Sequence, residues 1–335
     1  MRQNDLAILD EIALDELEAE LDKHTREIVE PDRWMAFSWS ASRHAMFDRC
    51  KRQYYLNYYG ARRVREAKSK VVSAVWWLKQ VASLKAWIGT TIHHVAGSAV
   101  RAIRDQKPIN EARLPDEALR YYQEGVRASE RGAKHDNQWI MLFEHVYPGE
   151  AELDRSAAEM AVYDTAQTFL ESDAYGFIKS VPPNAIAEVD EPFQSFEYPL
   201  PGHEPIPVYA IPDVLLNHQG NIYMIDWKTG DVAREGIRQQ AGVYQLYVAR
   251  KYEISAANIH MAISELGGVG ESFEPPGGMP SLKETSTFIQ QSIEAMLGRL
   301  EDAAHNSAAI KDFPMTDDRS ICQGCGFKRA CWRHK

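Results

Sequence analysis

The sequence predicts an α/β protein in which helices come first and a small mixed sheet, itself flanked by helices, follows. Apolar residues at helical spacing dominate the chain up to about residue 175. Three strand-like segments then occur in succession, namely "AIAEVDEPFQSFEYPL", "PVYAIPDVLLN" and "NIYMIDWK". A helical segment, "EGIRQQAGVYQLYVARKYE", and a fourth strand-like segment, "NIHMAISEL", come next. A last long helix is expected to end near residue 304.

The first helix is expected in residues 5–30, where one stripe carries Leu14, Leu17, Leu21 and Ile28. This amphipathic helix could dock on its own domain or on a partner, and docking within the chain is the simpler expectation. After Pro31, a group of serines predicts that a second helix begins near Ser42. Residues 88–105 and about 115–175 are expected to be mostly helical, with breaks near "GAKHDN" and "YPGE".

Composition excludes several classes of protein. The 335 residues are 44% hydrophobic and 26% charged, which is ordinary for a globular chain of one large domain or two small ones. There is no apolar run of about 18 residues, and the acidic N-terminus lacks the hydrophobic region of a signal peptide. We therefore expect a cytoplasmic protein without a membrane span.

The distribution of charge indicates a local basic surface. The net charge of −10 disfavours a general nucleic-acid coat. However, arginine and lysine are dense between residues 43 and 70, where tyrosines alternate with them in "CKRQYYLNYYGARR", and the tail "CGFKRACWRHK" is also basic. Such runs are often only solvated faces, but the tyrosines favour a surface that contacts phosphates. The candidate DNA-contacting residues are Arg49, Lys51, Arg52 and Tyr54.

The segment "PDVLLNHQGNIYMIDWK" predicts a β-hairpin that brings two carboxylates together. If its turn centres on Gln219 and Gly220, Asp213 stands opposite Asp226, with their Cβ atoms about 4.5–5.5 Å apart. Lys228 leaves the same face as Asp226, because side chains two residues apart in a strand do so. Two close carboxylates repel unless one keeps a proton or a cation lies between them, and aspartate oxygens suit Mg²⁺ or Mn²⁺. A three-residue turn would shift this register, and a plain surface salt bridge is the alternative interpretation.

A third ligand is expected from the helix that contains "GTTIHH". Its two adjacent histidines, His93 and His94, point about 100° apart around the helix, so that at most one of them faces the site. Histidines on helices are also common as ordinary core residues, and the spacing alone does not show whether either histidine is a metal ligand or a core residue.

The cysteine pattern predicts a second metal site. The chain has four cysteines, of which Cys322, Cys325 and Cys331 form a C-x2-C-x5-C cluster and Cys50 lies far upstream. Disulfides are disfavoured in a reducing cytosol, whereas four thiolates suit Zn²⁺ or an iron–sulfur cluster. Such a centre would join the two basic segments into one positive surface, although four unrelated thiols remain an alternative.

These motifs, in this order, resemble the RecB-like branch of the PD-(D/E)xK nuclease superfamily. The resemblance is greatest to members with an iron–sulfur cluster, such as AddB and the CRISPR-associated RecB-like exonucleases. It is carried by "SASRHAMFDRCKRQYYL", "GTTIHH", "IPDVLL", "IDWKTG", "QAGVY" and "CQGCGFKRAC". The Gly-x-x-x-His pattern of the family selects His93 over His94.

The resemblance implies a catalytic set of Asp213, Asp226 and Lys228. The divalent metal, Mg²⁺ or Mn²⁺, would be held by His93, the two aspartates and the backbone carbonyl of Trp227. Lys228 would orient or deprotonate the attacking water and stabilise the charged transition state. Family members often place a glutamate on the first strand; here Glu188 and Glu191 both qualify, and the register leaves the choice open.

The remaining motifs have supporting roles in the resemblance. Gln240 and Tyr244, four residues apart on one helix face, would support the site or touch DNA. Cys50, Cys322, Cys325 and Cys331 would hold a [4Fe–4S] cluster, with structural Zn²⁺ as the alternative, and this centre would act in structure and DNA binding rather than in cleavage. The implied organisation is an acidic N-terminal extension, 1–37, followed by a nuclease domain, 38–335. Within that domain we expect a helical insertion, 105–180, a catalytic core, 185–265, and a cluster segment, 308–335, together with Cys50.

The resulting expectation is a metal-dependent DNA nuclease, in particular an exonuclease acting on single-stranded DNA or DNA ends. DNA repair, CRISPR-related processes and anti-phage defence are all compatible with it, with a helicase or defence complex as a partner, because the chain has no G-x-x-x-x-G-K-[ST] loop. The alternative is a non-catalytic subunit that binds DNA ends, against which the complete Asp213, Asp226 and Lys228 set argues. A structural adaptor stabilised by a zinc site is a third interpretation.

Overall fold

The chain divides into two compact units in the computed structural model, which describes residues 6–27, 36–62, 68–150, 154–230, 234–267, 272–275 and 277–331. We call Leu84–Glu124 together with Leu153–Gln290 the sheet unit. Met1–Ser83, Gly125–Glu152 and Gln291–Lys335 form the cysteine unit. The predicted extension, 1–37, belongs to the cysteine unit, and the predicted insertion, 105–180, contributes to both units.

Mixed α/β structure is observed, as the sequence predicts. The α-helices of the described residues are α1 (Ile8–Glu11), α2 (Leu14–Glu27), α3 (Ala41–Arg49), α4 (Lys51–Tyr58), α5 (Lys70–Leu78), α6 (Leu84–Arg104), α7 (Leu114–Arg131), α8 (Phe143–Val146), α9 (Arg155–Glu171), α10 (Asp173–Ser180), α11 (Arg234–Lys251), α12 (Leu282–Leu297), α13 (Arg319–Gln323) and α14 (Lys328–Cys331). The strands are β1 (Val81–Ala82), β2 (Lys134–His135), β3 (Gln138–Trp139), β4 (Met141–Leu142), β5 (Ile186–Val189), β6 (Ser195–Tyr198), β7 (Ile206–Tyr209), β8 (Val214–His218), β9 (Asn221–Lys228), β10 (Ile259–Glu265) and β11 (Ser272–Phe273). None of the described helices is both long enough and apolar enough to cross a membrane.

The sheet unit is built around five strands in the order β11-β10-β9-β8-β5. Strand β9 pairs antiparallel with β8 and parallel with β10, and α11 makes the crossover between the two parallel strands. Because β9 lies in the middle of the sheet, its side chains from Met224 to Trp227 are all buried. Strands β6 and β7 form a separate antiparallel pair in the same unit.

The β8–β9 hairpin has the predicted register. Val214 pairs with Ile225, and His218 pairs with Asn221 at the turn. The two turn residues, Gln219 and Gly220, have φ values of 51° and 76°. A two-residue hairpin turn whose twist matches that of its strands requires positive φ at both central residues.

The cysteine unit contains the first five helices, and its N-terminal helices dock within that unit, in agreement with docking within the chain. The predicted helix 5–30 is interrupted, because Ile12 is extended (ψ 141°) and separates α1 from α2. Leu17 and Leu21 of α2 are fully buried, and α2 packs on α5. Ile28 and Pro31 lie outside the described residues.

Several other boundaries differ from the prediction. The first strand-like segment forms two strands, β5 and β6, because the chain turns between them with positive φ at Asp190 (47°) and Phe193 (64°). The last long helix, α12, ends at Leu297 rather than near 304. The break predicted near "GAKHDN" is confirmed, because α7 ends at Arg131. What the sequence did not predict is that residues 134–139 form the hairpin β2–β3 there, which closes on positive φ at Asp136 and Asn137.

Candidate active site

The strand β9 ends with Asp226 and Lys228 on one face. Their side chains form an ion pair, and only 3% of Asp226 is exposed. Trp227 points to the opposite face, where its ring meets the ring of Phe169 edge-on at 5.2 Å between centroids. Because side chains alternate along a strand, Asp226 and Lys228 lie on one face, and Trp227, which stands between them in the sequence, lies on the other.

Asp213 immediately precedes β8 and joins the hairpin to helix α6. Its Oδ2 accepts a hydrogen bond of 2.7 Å from the backbone N–H of Trp227. Its Oδ1 lies 3.0 Å from Nδ1 of His93. The Trp227 backbone thus reaches the site through its N–H, and the role of its carbonyl as a metal ligand stays a prediction.

The two adjacent histidines have different surroundings. His93 contacts Asp213, whereas the ring of His94 stacks on Tyr121 with 4.0 Å between centroids. Burial alone would lower the pKa of His93, but attraction and hydrogen bonding to Asp213 outweigh burial, so that its pKa is raised. With the proton on Nδ1, the ring donates to Asp213 and keeps Nε2 as the nitrogen for a ligand.

Lys228 is held by a chain of hydrogen bonds that runs into helix α11. Its ammonium donates to Oε1 of Gln240 at 2.9 Å, and Nε2 of Gln240 donates to the hydroxyl of Tyr244 at 2.7 Å. Tyr244 in turn donates to the carbonyl of Ile211 at 2.9 Å. The spacing of Gln240 and Tyr244 on one helix face therefore serves to fix the position of the lysine.

Burial and the neighbouring carboxylate of Asp213 raise the pKa of Asp226 to about 6. Lys228 and His93 act in the opposite direction, and they do not cancel these two effects. The same carboxylates contribute, after burial, to raising the pKa of Tyr244 well above its ordinary value. The site thus has an excess of negative charge that favours a proton or a cation.

The donor set fits a divalent cation. Oδ2 of Asp226 is buried and, apart from its ion pair with Lys228, makes no hydrogen bond. Each oxygen of Asp213 keeps a further lone pair beyond the hydrogen bond described above. Within the described parts of the chain, however, no three His, Cys, Asp or Glu side chains already stand in an arrangement that could hold a metal ion.

Neither of the first-strand glutamates approaches this set. Glu188 is buried and accepts hydrogen bonds from Tyr247 and Tyr252, and Glu191 pairs with Arg104 at 3.0 Å. The acid that does approach is Asp190, whose N–H donates to the carbonyl of Asp213 at 2.9 Å. Burial and then Asp213 raise the pKa of its carboxyl group.

Sequence reasoning considered only the two glutamates of the first strand and missed Asp190 as a site residue. Strand alternation would place Asp190 on the same face as Glu188. Its left-handed backbone (φ 47°) ends the strand at this residue and breaks that alternation. A β-bulge between Ile186 and Glu188 also shifts the pairing with β8. The turn residues in "DEPF" are the local signal that such a break was near.

The four cysteines line one pocket of the cysteine unit, and none of them forms a disulfide. Cys50 lies between α3 and α4, and its Sγ accepts a hydrogen bond from the N–H of Gln53. Cys322 lies in α13, and Cys331 ends α14. Burial raises the pKa of Cys331 to about 12, and the three other cysteines add to the effect. The four cysteines thus line the same pocket, but within the described residues they are not arranged as a group that could hold a metal ion, so that a centre with four thiolate ligands stays a prediction.

The four predicted DNA-contacting residues divide into two pairs. Arg49 is exposed and donates to Gln53, and Lys51 is half-buried over the ring of Phe47. Arg52 is only 6% exposed, because it pairs with Glu18 and donates to the carbonyl of Phe313. Tyr54 is 2% exposed and packs against Phe313. The structure therefore corrects the surface placement of Arg52 and Tyr54, which belong to the core of the cysteine unit.

The sheet unit thus carries two aspartates and a lysine that converge on one hairpin of a small mixed sheet. The model of the PD-(D/E)XK nuclease superfamily matches residues 38–332 of the chain. The protein therefore belongs to the PD-(D/E)XK nuclease superfamily, whose members are nucleases. A search of curated proteins returned no match.

The raised pKa of Asp226 predicts how stability changes with pH in the metal-free protein. Because the folded state binds this proton more tightly than the unfolded state, stability is lost as pH rises from the ordinary value of 3.8 to about 6. We therefore expect Asp226→Asn to raise the melting temperature in EDTA at about pH 8, and we expect the gain to shrink towards pH 4.

Thermal denaturation of both proteins across this pH range checks the prediction. Asp317→Asn, at an exposed position, is the matched control and should leave the curve unchanged. Adding Mn²⁺ at pH 8 should stabilise the wild type and not Asp226→Asn. A melting difference that does not depend on pH would show that burial of Asp226 has no electrostatic cost.

Proposed function

We propose that this protein is a divalent-metal-dependent deoxyribonuclease that hydrolyses phosphodiester bonds of single-stranded DNA or DNA ends. The observation that carries the proposal is the convergence of Asp213, Asp226 and Lys228, with the lysine fixed by Gln240. Membership of the nuclease superfamily supports the reaction class. An isolated surface salt bridge would need neither burial of the aspartate nor a hydrogen-bond chain behind the lysine.

The proposed roles of the residues come from the superfamily resemblance, and the contacts of these residues support them. Asp213, Asp226, His93 and the Trp227 carbonyl would hold Mg²⁺ or Mn²⁺, which supplies Lewis-acid chemistry and lowers the pKa of bound water. Asp213 also fixes the position of the His93 ring, because its Oδ1 lies within hydrogen-bond distance of Nδ1. Its other oxygen holds the end of β9 in place through the N–H of Trp227.

Lys228 is the residue that acts on the water and the phosphate. An ammonium has three N–H donors, of which one reaches Gln240 and another faces Asp226. We assign the third donor to the attacking water or to an oxygen of the scissile phosphate. A positive charge placed there offsets the negative charge that develops on the phosphate in the transition state.

The finer classification is part of the proposal. The cysteine pattern supports the RecB-like branch, in which Cys50, Cys322, Cys325 and Cys331 hold a [4Fe–4S] cluster, and structural Zn²⁺ is the alternative. We assign this centre to structure and DNA binding, and we keep Arg49 and Lys51 as candidate DNA contacts because both side chains reach the surface. The proposed setting is DNA repair, CRISPR-related or anti-phage defence, with a helicase or defence complex as partner.

The test is cleavage of end-labelled single-stranded, duplex and circular DNA by anaerobically purified protein. We expect Mg²⁺ or Mn²⁺ to support cleavage, EDTA to stop it, and circular DNA to resist if ends are required. Asp213→Asn should lose cleavage, whereas Asp317→Asn should cut like the wild type. Binding without cleavage of any substrate by the wild type would favour the DNA-end-binding subunit instead.

A further inference from the structure

The cysteine unit contains a pocket of about 570 Å³ that is separate from the cysteine residues. It lies between helix α5 and the hairpin β2–β3, two elements that no motif of the superfamily resemblance covers. Its volume falls within the range of about 300–1,000 Å³ that is typical of small-molecule sites. We call it the tryptophan pocket, because Trp76, Trp77 and Trp139 line it.

The three tryptophans form a half-buried aromatic surface rather than a closed core. Trp76 and Trp77 meet edge to face at 4.7 Å between centroids, and Trp77 meets Trp139 in the same way at 4.8 Å. All three side chains keep partial exposure to solvent. Large aromatic rings that remain accessible in a concave site are the usual means of binding a flat ligand by stacking.

The polar lining of the pocket suits the edge of a nucleobase. Ser73, Gln80, Asn137 and Gln138 supply one hydroxyl and three amides, which carry both donors and acceptors. The amide of Gln80 is oriented by its own helix, since Nε2 donates to the carbonyl of Trp76 at 3.1 Å. The residues that line the pocket include no carboxylate, and their only charge is the Lys134 ammonium, 5.4 Å from the centroid of Trp139.

A group of cations adjoins the same end of helix α5. Lys79, next to Gln80, lies over the ring of Tyr58 at 5.8 Å, and Arg43 lies over that ring at 4.6 Å. Arg62 lies over the neighbouring Tyr59 at 4.1 Å. Both arginines also donate hydrogen bonds within the protein, Arg43 to Ser38 and Arg62 to the carbonyls of Tyr58 and Asn306, whereas Lys79 is exposed. Although Lys79 is exposed, partial burial of its side chain and then repulsion by Arg43 and Arg62 lower its pKa. Like charges held this close favour the binding of an anion.

We propose that the tryptophan pocket binds a base of single-stranded DNA, the ligand that the proposed function supplies, while the exposed ammonium of Lys79 binds an adjoining phosphate and the charges of Arg43 and Arg62 strengthen that attraction. Stacking on the indole rings supplies affinity for any base, and the amides supply hydrogen bonds to its edge. The cations distinguish this ligand from a neutral sugar, which also suits tryptophans and amides. Lys134 disfavours a cationic ligand in the aromatic pocket.

The experiment compares two fluorescent 15-mers, oligo(dT) and an abasic strand with the same phosphates, by anisotropy in EDTA. Without metal the measurement does not depend on cleavage, so that it succeeds or fails independently of the proposed nuclease activity. The wild type should bind oligo(dT) more tightly than the abasic strand. Trp139→Ala should weaken oligo(dT) binding by about tenfold and leave abasic binding unchanged. Lys79→Ala should weaken binding of both strands similarly, because both carry the same phosphates.

Two controls keep this test informative. Tyr163→Ala removes another partly exposed aromatic ring, 41% exposed on α9, and should bind both strands like the wild type. Wild-type protein crosslinked to an iodouracil-substituted oligonucleotide needs no variant, and the crosslink should map to Trp76, Trp77 or Trp139. The proposal would be overturned by equal affinity for the two strands or by crosslinks elsewhere. It would also be overturned if a neutral oligosaccharide, but not oligo(dT), quenched the tryptophan fluorescence.

Discussion

Replacing Lys228 with alanine is expected to lower the rate of DNA cleavage by about 10³-fold. The site contains three carboxylates, Asp190, Asp213 and Asp226, and Lys228 is the cation that pairs with Asp226. Alanine removes the donor that we assign to the water and the phosphate, while the backbone of β9 keeps its pairing with β10 through Glu265. Because this interaction strengthens as charge develops, the turnover number should fall while the apparent affinity for DNA changes little.

Variants of the hydrogen-bonded residues behind Lys228 should give smaller, graded losses of turnover. Tyr244→Phe removes the hydroxyl that links Gln240 to the Ile211 carbonyl, and we expect about a tenfold loss of turnover. Gln240→Ala removes one of the two partners of the Lys228 ammonium, and we expect a loss of turnover of similar size. Single-turnover cleavage of an end-labelled single strand, with binding measured separately in EDTA, distinguishes loss of chemistry from loss of affinity.

Lys179→Ala is the matched control for the lysine substitution. This lysine lies on α10, pairs with Glu111 at the surface, and should be dispensable for cleavage. Wild-type activity in Lys228→Ala would exclude the lysine from catalysis. An equal loss of turnover in Lys179→Ala would show that the effect is general electrostatics rather than the placement of one ammonium.

Removal of one cysteine is expected to have the second largest effect, on metal content and stability. Cys331→Ser should abolish the visible absorbance that a [4Fe–4S] cluster gives, and it should lower the melting temperature by about 10 °C or more. A metal centre contributes folding free energy directly when its ligands come from distant parts of the chain. Here Cys50 and Cys322 are separated by most of the sequence and line the same pocket.

Metal analysis distinguishes the alternatives for this pocket. Iron and labile sulfide in the wild type, both lost in Cys331→Ser, support the cluster, whereas a colourless protein with one zinc supports the structural-zinc alternative. Ser320→Ala changes an exposed hydroxyl near Cys322 on α13 and should keep both the metal and the melting temperature. Retention of the melting temperature in Cys331→Ser would show that the four thiols hold no structural centre.

The hairpin and its charged face could be predicted from the sequence because both depend on local geometry. The period of a strand places Asp226 and Lys228 on one face, whatever the rest of the fold. The residues Gln219 and Gly220 suit a turn with positive φ, and that turn fixes the register of β8 against β9. The contact between His93 and Asp213 was expected from the superfamily resemblance rather than from helix geometry, which left His94 equally eligible.

Other features were decided only by tertiary structure. The sequence placed Arg52 and Tyr54 on a basic surface, but packing against Phe313 buries both of them. Asp190 approaches Asp213 because its backbone turns left-handed at the end of β5, which strand alternation does not predict. Both outcomes depend on which distant segment covers a side chain, and local periodicity contains no information about that choice.

The sequence by itself therefore determined the α/β class, the β8–β9 register and the shared face of Asp226 and Lys228. Each of these follows from backbone geometry within a few residues. Only the tertiary structure brought Trp76 and Trp77 beside Trp139 and placed Gln240 and Tyr244 behind Lys228. Those contacts join segments that are distant in the chain, and their formation depends on the free energy of packing the whole unit rather than on any local pattern.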